Sequence, residues 1–152
     1  GLPAVVADAL AVSGLPPECL ELEITESMIM GDVEHTIRVL KSIKALGVRI
    51  AVDDFGTGYS SLSYLQRLPI DTLKIDRSFV SGCDRGGKAM AIPHAIIFLG
   101  RSLNLHIVAE GVETTAEKDV LAVCGCNEFQ GYLFSRPMQA AAVADYLEGA
   151  TS

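Results

Sequence analysis

The sequence predicts an α/β fold in which parallel strands alternate with helices, as a barrel or as a doubly wound sheet. Amphipathic helical segments alternate with short apolar strands along the chain, and no Asn-Gly hairpin turn or low-complexity linker separates them. Consecutive strands are therefore expected to be parallel and joined by crossover helices. Polar residues also follow the strands repeatedly, and in both architectures the carboxyl ends of the strands form the functional edge.

The helices are predicted from apolar periodicity and from their start and stop signals. Gly14 and Gly47 directly follow two of the periodic segments, where glycine is the preferred helix stop. Thr114 opens a later segment with Glu117 three residues on, which is the spacing of a capping box. Pro69 ends a short helix because proline cannot continue it. The predicted helices are 3–13, 33–46, 62–68, 88–103, 114–124 and 139–147.

Five strands are predicted between these helices. Each is a short run of mainly apolar, often β-branched residues that ends in polar ones, as in the segment Leu-Glu-Leu-Glu-Ile at 20–24. The others have similar length and are bounded by glycine, proline or asparagine. The predicted strands are 20–24, 48–52, 73–75, 105–109 and 127–129.

Composition and charge exclude several classes of protein. The chain has 152 residues, of which 49% are apolar, so it can bury a core and is not intrinsically disordered. Twelve Lys and Arg against nineteen Asp and Glu give a net charge of −7, which argues against a nucleic-acid polymer or an anionic membrane as partner. No apolar run is long enough for a transmembrane span. The four cysteines fit neither a disulfide scaffold nor a zinc site, so free thiols in the cytoplasm are expected.

Polar residues recur at the predicted strand ends in a pattern that indicates a metal-assisted active site. Because carboxyl ends of parallel strands meet at one edge, these side chains are expected to lie close together. Adjacent carboxylates repel one another, and divalent cations are one way to keep them ionised. Two such cations bridged by a carboxylate can promote attack on a phosphodiester. The residues are Glu23, Asp53, Asp54, Lys74, Asp76, Glu110 and Gln130.

The segment VDDFGTGYSS at 52–61 is the most informative stretch of the sequence. Two adjacent Asp residues follow an apolar strand, and two glycines then allow unusual backbone angles in the following loop. The pattern is compatible with a metal site. It is equally compatible with an Asp that caps the following helix, with glycine serving the turn.

Five motifs together resemble the EAL domain family. They are LEITES at 22–27, VDDFGTGYSSL at 52–62, LKIDRSFV at 73–80, VAEGVET at 108–114 and QGYLFSRP at 130–137. The resemblance implies a (β/α)8 barrel of the TIM type that hydrolyses the bacterial second messenger cyclic di-GMP to linear pGpG. It also implies Mg²⁺ or Mn²⁺ as cofactor, with two ions in the site.

The resemblance also implies roles for individual residues. Glu23, Asp53, Asp54 and Glu110 resemble the family's metal ligands, and Asp53 resembles the carboxylate that bridges the two ions. Three residues resemble catalytic groups: Lys74 the lysine that polarises the attacking water, Glu110 the proposed general base, and Gln130 the glutamine that orders water near the metals. Glu26 resembles the glutamate that steadies the loop after the Asp pair.

The chain departs from the family pattern at one point. The Glu-Ala-Leu motif and the strand bearing a ligating Asn are absent from the sequence. We therefore expect residues 1–152 to be the C-terminal part of a single EAL domain, with about five βα units, the N-terminal strands missing and little activity alone. About 90–100 residues are expected upstream, from the ~250-residue norm of such barrels. The expected context is a cytoplasmic homodimer with an upstream sensor or GGDEF-type domain.

Two alternatives remain open at this point. A degenerate EAL domain could bind cyclic di-GMP without cleaving it and act as a receptor. A dimerisation module is the other possibility, with residues 33–46 and 55–61 as its contact surface. The upstream metal ligands would separate the enzyme from the receptor, and cyclic di-GMP binding would separate both from the dimerisation module.

Overall fold

A computed structural model describes residues 1–29, 31–57 and 62–150. Its five strands form one parallel sheet in which the spatial order follows the chain, β1-β2-β3-β4-β5. A doubly wound sheet reverses its order at a switch point, whereas a barrel does not. The sheet is therefore the partial barrel of the prediction. The strands are β1 (Glu21–Thr25), β2 (Arg49–Phe55), β3 (Thr72–Ile75), β4 (His106–Glu110) and β5 (Glu128–Gln130).

The helices agree with the prediction in number and order, apart from two short additions. The additions are single-turn helices that directly follow strand ends, where the sequence shows no periodicity long enough to detect. Two 3₁₀ turns, Pro17–Cys19 and Cys83–Arg85, were also not predicted. The helices are α1 (Leu2–Ser13), α2 (Glu26–Ile29), α3 (Val33–Lys44), α4 (Leu62–Leu65), α5 (Arg77–Val80), α6 (Lys88–Ser102), α7 (Thr115–Cys124) and α8 (Ala140–Ala150).

Three predicted boundaries were wrong by three residues, and one of them is the end of helix 139–147, which extends to Ala150. Strand 48–52 extends to Phe55, because the chain continues to pair with β3 beyond the Asp pair. Helix 62–68 ends at Leu65 and is followed by a turn that leads to Pro69. Residues 58–61, which belong to the Asp-pair motif and to the contact surface of the alternative dimerisation module, lie outside the described residues.

The sheet has one apolar and one polar face. Alternate residues of each strand point to opposite faces, and one set is apolar and buried against the helices. Gly100 of α6 shows how close this packing is, because a Cβ there would lie 3.0 Å from Ile107 and 3.5 Å from Leu73. The other set is mainly polar, with Ala51 and Val108 as buried apolar members. Thr72 donates to Glu21 at 2.8 Å, and Arg49 pairs with Glu21 at 3.3 Å. The polar face leads to the strand ends that carry the predicted site.

A repeated hydrogen bond holds the amino ends of the strands. Asp71, just before β3, accepts from the backbone N–H of Ile50 in β2 at 2.8 Å and also binds Lys44 at 2.8 Å. Asn127, just before β5, accepts from the backbone N–H of Ile107 in β4 at 2.8 Å. In both places the residue preceding one strand satisfies an N–H of the neighbouring strand, which fixes their relative register.

The capping box predicted for α7 is confirmed, and its glutamate also accepts a hydrogen bond from outside the helix. Thr114 accepts from the N–H of Glu117, while the carboxylate of Glu117 accepts from the N–H groups of Glu113 and Thr114 at 3.0 and 3.1 Å. It also accepts from the N–H of Gly82 at 2.8 Å. Burial alone would raise the pKa of Glu117, but these hydrogen bonds outweigh it, so the pKa is lowered.

The outer edges of the sheet carry exposed apolar surface. Among the described strands, β1 and β5 each have one neighbour only. Every described residue of α8 from 140 to 149 is exposed, including Val143, Tyr146 and Leu147, and Leu2 and Val5 of α1 are exposed as well. All four cysteines are free thiols. Within the described ranges, no helix has the length and hydropathy needed to cross a bilayer.

Replacing Asp71 or Asn127 by Ala is expected to lower the free energy of unfolding by about 1–3 kcal/mol each, because a buried strand N–H loses its acceptor. Urea unfolding of the chain measures the change. Asp119→Ala is the matched control, since this side chain is 64% exposed, and we expect it to have little effect. Equal stability of the Asp71 variant and the control would contradict the proposed role of the strand-end bonds.

Replacing Glu117 by Gln is expected to lower the free energy of unfolding by about 1–3 kcal/mol at neutral pH, because an amide accepts the three N–H bonds less well than a carboxylate. A carboxyl whose pKa is lowered by folding stabilises above its ordinary value of 4.5 and loses this effect as pH falls. The difference in stability between wild type and variant should therefore be smaller in urea unfolding at about pH 3 than at neutral pH. A difference that persists undiminished at that pH would contradict this assignment.

Candidate metal and catalytic site

Lys74 is the centre of the candidate site. It lies in β3, and only 7% of its side chain is exposed. Its ammonium group contacts Glu23 of β1 at 2.5 Å, Asp53 of β2 at 3.1 Å and Glu110 of β4 at 2.7 Å. Burial alone would lower the pKa of Lys74, but the hydrogen bonds to Glu110, Glu23 and Asp53 outweigh it and raise the pKa. Lys74 is therefore a cation at any physiological pH.

The Asp pair lies in a bulge of β2. Val52 pairs with Leu73 and Phe55 with Ile75, so that Asp53 and Asp54 together stand opposite Lys74. In a regular strand adjacent side chains point to opposite faces, whereas a bulge redirects one of them. Asp54 has a φ of 52°, in the left-handed region that Asp tolerates better than most residues. Both carboxylates can consequently lie at the same edge of the sheet.

Three carboxylates are placed where they could share a metal ion. Asp53, Asp54 and Glu110 each offer an oxygen, and these atoms lie within 4.8 Å of one another. Oxygen donors of this type suit Mg²⁺ and Mn²⁺. Burial raises the pKa of Glu110, and the nearby Asp53 and Glu23 add to this effect, while Lys74 opposes it. With Glu23 and Asp76 the cluster contains five carboxylates, three of which contact the one ammonium group, so the donor set fits divalent cations.

Asp76 is a member of the site to which the sequence motifs assigned no role. Its carboxylate caps α5 by accepting from the N–H of Ser78 at 3.0 Å and from the Ser78 hydroxyl. It also forms a hydrogen bond with the carboxyl group of Asp54. Burial, then the charges of Asp53 and Asp76, raise the pKa of Asp54. The hydrogen bonds from Ser78 outweigh burial at Asp76 and lower its pKa.

The remaining predicted residues differ in how closely they join this cluster. Glu23 contacts Lys74 directly, although its side chain is half exposed. Glu26 is buried at the start of α2, and its Oε2 accepts from the N–H of Gly56 at 3.4 Å. Among the described residues its Oε1 has no hydrogen-bond partner. Gln130 pairs with Glu110 in the register of β4 and β5, and its side chain is exposed.

The structure thus brings four of the predicted residues into direct contact, namely Lys74, Glu23, Asp53 and Glu110. Asp54 joins them through its proximity to Asp53 and Glu110. Glu26 contacts the turn after the Asp pair, and Gln130 lies at the adjacent strand end. The sequence also placed Asp76 at this edge, and its capping role could have been predicted as well, because an Asp followed two residues later by Ser at a strand end is typical of a helix cap.

Comparison with known proteins identifies relatives of this chain. The profile of the EAL domain family matches residues 2–137. MucR of Pseudomonas aeruginosa, named as a bifunctional diguanylate cyclase and cyclic di-GMP phosphodiesterase, is 51% identical over 140 residues, which are 92% of this chain and 20% of MucR. The chain thus spans about a fifth of the length of this curated relative.

Two solved structures resemble the fold closely. The MucR phosphodiesterase in complex with c-di-GMP has a TM-score of 0.89 and 50% identity, over 94% of this chain and 58% of that one. BlrP1 of Klebsiella pneumoniae, in a complex with manganese and c-di-GMP, has a TM-score of 0.81 and 37% identity, over 88% of this chain and 34% of that one. Because the family profile extends from the first helix to the turn before α8, the chain belongs to the EAL domain family.

Proposed function

We propose that this chain is part of a metal-dependent phosphodiesterase domain that hydrolyses cyclic di-GMP to linear pGpG. The observation that carries the proposal is the buried Lys74 ammonium held among Glu23, Asp53 and Glu110 at the carboxyl ends of parallel strands. Membership of the EAL family and similarity to relatives complexed with c-di-GMP support the same substrate.

In this proposal Asp53, Asp54, Glu110 and Glu23 would hold two ions of Mg²⁺ or Mn²⁺. Such ions lower the pKa of water and offset negative charge on a phosphate. The carboxylate cluster and the manganese complex of the relative BlrP1 support this cofactor. Cation binding would also offset the mutual repulsion of these carboxylates.

The chain's own groups have distinct roles in the proposed reaction. Lys74 stays protonated, so it can donate a hydrogen bond to the attacking water or to a phosphate oxygen. Glu110, whose carboxylate lies 2.7 Å from the Lys74 ammonium group, is placed to accept the proton from this water. Gln130 orders water at the adjacent strand end. Glu26 steadies the turn after the Asp pair by accepting from the N–H of Gly56.

The proposed active unit is larger than this chain. The exposed apolar residues of α1 and α8 and the two outer strands of the sheet need covering by further βα units. We therefore propose that residues 1–152 form the C-terminal part of one EAL domain in a longer cytoplasmic protein. That protein is proposed to be a homodimer with an upstream sensor or GGDEF-type domain. The bifunctional relative MucR supports such a context.

Replacing Asp53 by Asn in the full-length protein is expected to lower kcat for cyclic di-GMP by about 100-fold or more, because a charged group at the centre of the cluster is lost. Chromatographic detection of pGpG in the presence of Mn²⁺ measures it, with Asp119→Asn as the exposed control. Tight binding without cleavage by both wild type and variant would instead identify a receptor. If the full-length protein neither binds nor cleaves cyclic di-GMP, both the enzyme and the receptor functions are refuted.

The 152-residue chain alone is expected to produce no pGpG above background. The proposed reason is that the Glu-Ala-Leu motif and the Asn ligand implied by the family resemblance are absent from it. The same Mn²⁺ assay, run at equal protein concentration beside the full-length protein, measures the difference. Turnover by the isolated chain at a rate comparable with the full-length protein would overturn this expectation.

A further inference from the structure

Two contacts join α5 and the residues after it to the loop between β4 and α7. At the start of α5, the guanidinium group of Arg77 donates to the carboxylate of Glu113 at 2.5 Å. After its end, the N–H of Gly82 donates to Glu117 at 2.8 Å. Glu117 in turn accepts from the N–H groups of Glu113 and Thr114. Both the start of α5 and the residues after its end are thus hydrogen-bonded to the segment that follows β4.

Each of these two segments directly follows a residue of the candidate site. Arg77 directly follows Asp76, whose carboxyl group is hydrogen-bonded to that of Asp54. Glu113 lies three residues after Glu110, which contacts Lys74 at 2.7 Å. The Arg77–Glu113 pair therefore joins the segment that follows Asp76, at the end of β3, to the segment that follows Glu110, at the end of β4.

The stem of Arg77 also covers the turn that follows Glu110. Gly111 has a φ of +67°, and a Cβ atom there would lie 2.3 Å from Cγ of Arg77 and 2.7 Å from its Cβ and Cδ. Arg77 thus contacts this turn with its aliphatic part and holds Glu113 with its charged end. A longer side chain at 111 could not be accommodated without displacing Arg77.

We propose that Arg77, through Glu113, is a positioning residue that holds the carboxylate of Glu110 in place for metal binding. The inference rests on the proposed function of this site. The alternative, a contribution to stability, is weak on physical grounds: Arg77 is 60% and Glu113 45% exposed, and ion pairs this exposed add little to stability. A positioning role therefore predicts an effect on the site without a matching effect on folding.

The structure provides a matched control. Arg67 pairs with Glu34 at the same distance of 2.5 Å and with similar exposure, 50% and 63%. That pair links the segment after α4 to α3, neither of which is the loop that follows Glu110. Arg67→Gln thus removes an equivalent ion pair without altering the loop after Glu110.

The test compares Arg77→Gln, Arg77→Lys, Glu113→Gln and Arg67→Gln in the full-length protein. Mn²⁺ affinity measured by calorimetry without substrate is the first readout, and kcat and KM for cyclic di-GMP with urea unfolding are the others. We expect Arg77→Gln and Glu113→Gln each to weaken Mn²⁺ binding and lower kcat by about 10- to 100-fold, the range typical of residues that support a ligand. KM and the unfolding midpoint should stay unchanged, and Arg77→Lys should recover part of the loss.

Several results would overturn the positioning role. Arg77→Gln could match Arg67→Gln in Mn²⁺ affinity, or it could raise KM alone, which would indicate direct contact with substrate. Unfolding of both Arg77→Gln and Glu113→Gln would assign the pair to stability instead. A wild-type protein that binds Mn²⁺ but never cleaves cyclic di-GMP would refute the proposed function separately, since Mn²⁺ affinity would still decide the role of Arg77.

Discussion

The buried ammonium group of Lys74 is the contact on which the rest of the site depends. A charge this far from solvent is costly unless it is paired, and its three carboxylate partners come from three different strands. β3 must therefore lie between the strands that supply them, which the order β1-β2-β3-β4 achieves. The same contacts bring Glu23, Asp53 and Glu110 close together despite their like charges.

This arrangement leaves the site with excess negative charge. The site contains one lysine and five carboxylates, and burial, together with the neighbouring carboxylates, raises the pKa values of Asp54 and Glu110. Such a site favours cations and, once they are bound, can accept an anionic phosphate ester. The net negative charge of the chain argued against a nucleic-acid polymer as partner. It is compatible with a small phosphodiester as substrate, because bound cations would offset the charge of the carboxylates.

Polar contacts away from the site keep the strand ends in register. Asp71 and Asn127 hold the amino ends of neighbouring strands, and Glu117 holds the loop that follows Glu110. Each is a side chain from one βα unit that satisfies backbone groups of another. These residues do not contact Lys74, yet they limit how far the carboxylates around it can move.

Periodicity and stop signals in the sequence were enough to predict the five strands, six of the helices and the placement of acidic residues at strand ends, because alternation and glycine or proline stops are local properties. The motifs were enough to assign the family. Two features depended on tertiary structure. The bulge that directs Asp53 and Asp54 to one edge arises from pairing with β3, and the roles of Asp76, Arg77 and Glu117 depend on contacts with residues 22 to 36 positions away in the chain. Local sequence cannot specify such contacts, because the approach of distant segments is decided by how the helices pack on the sheet.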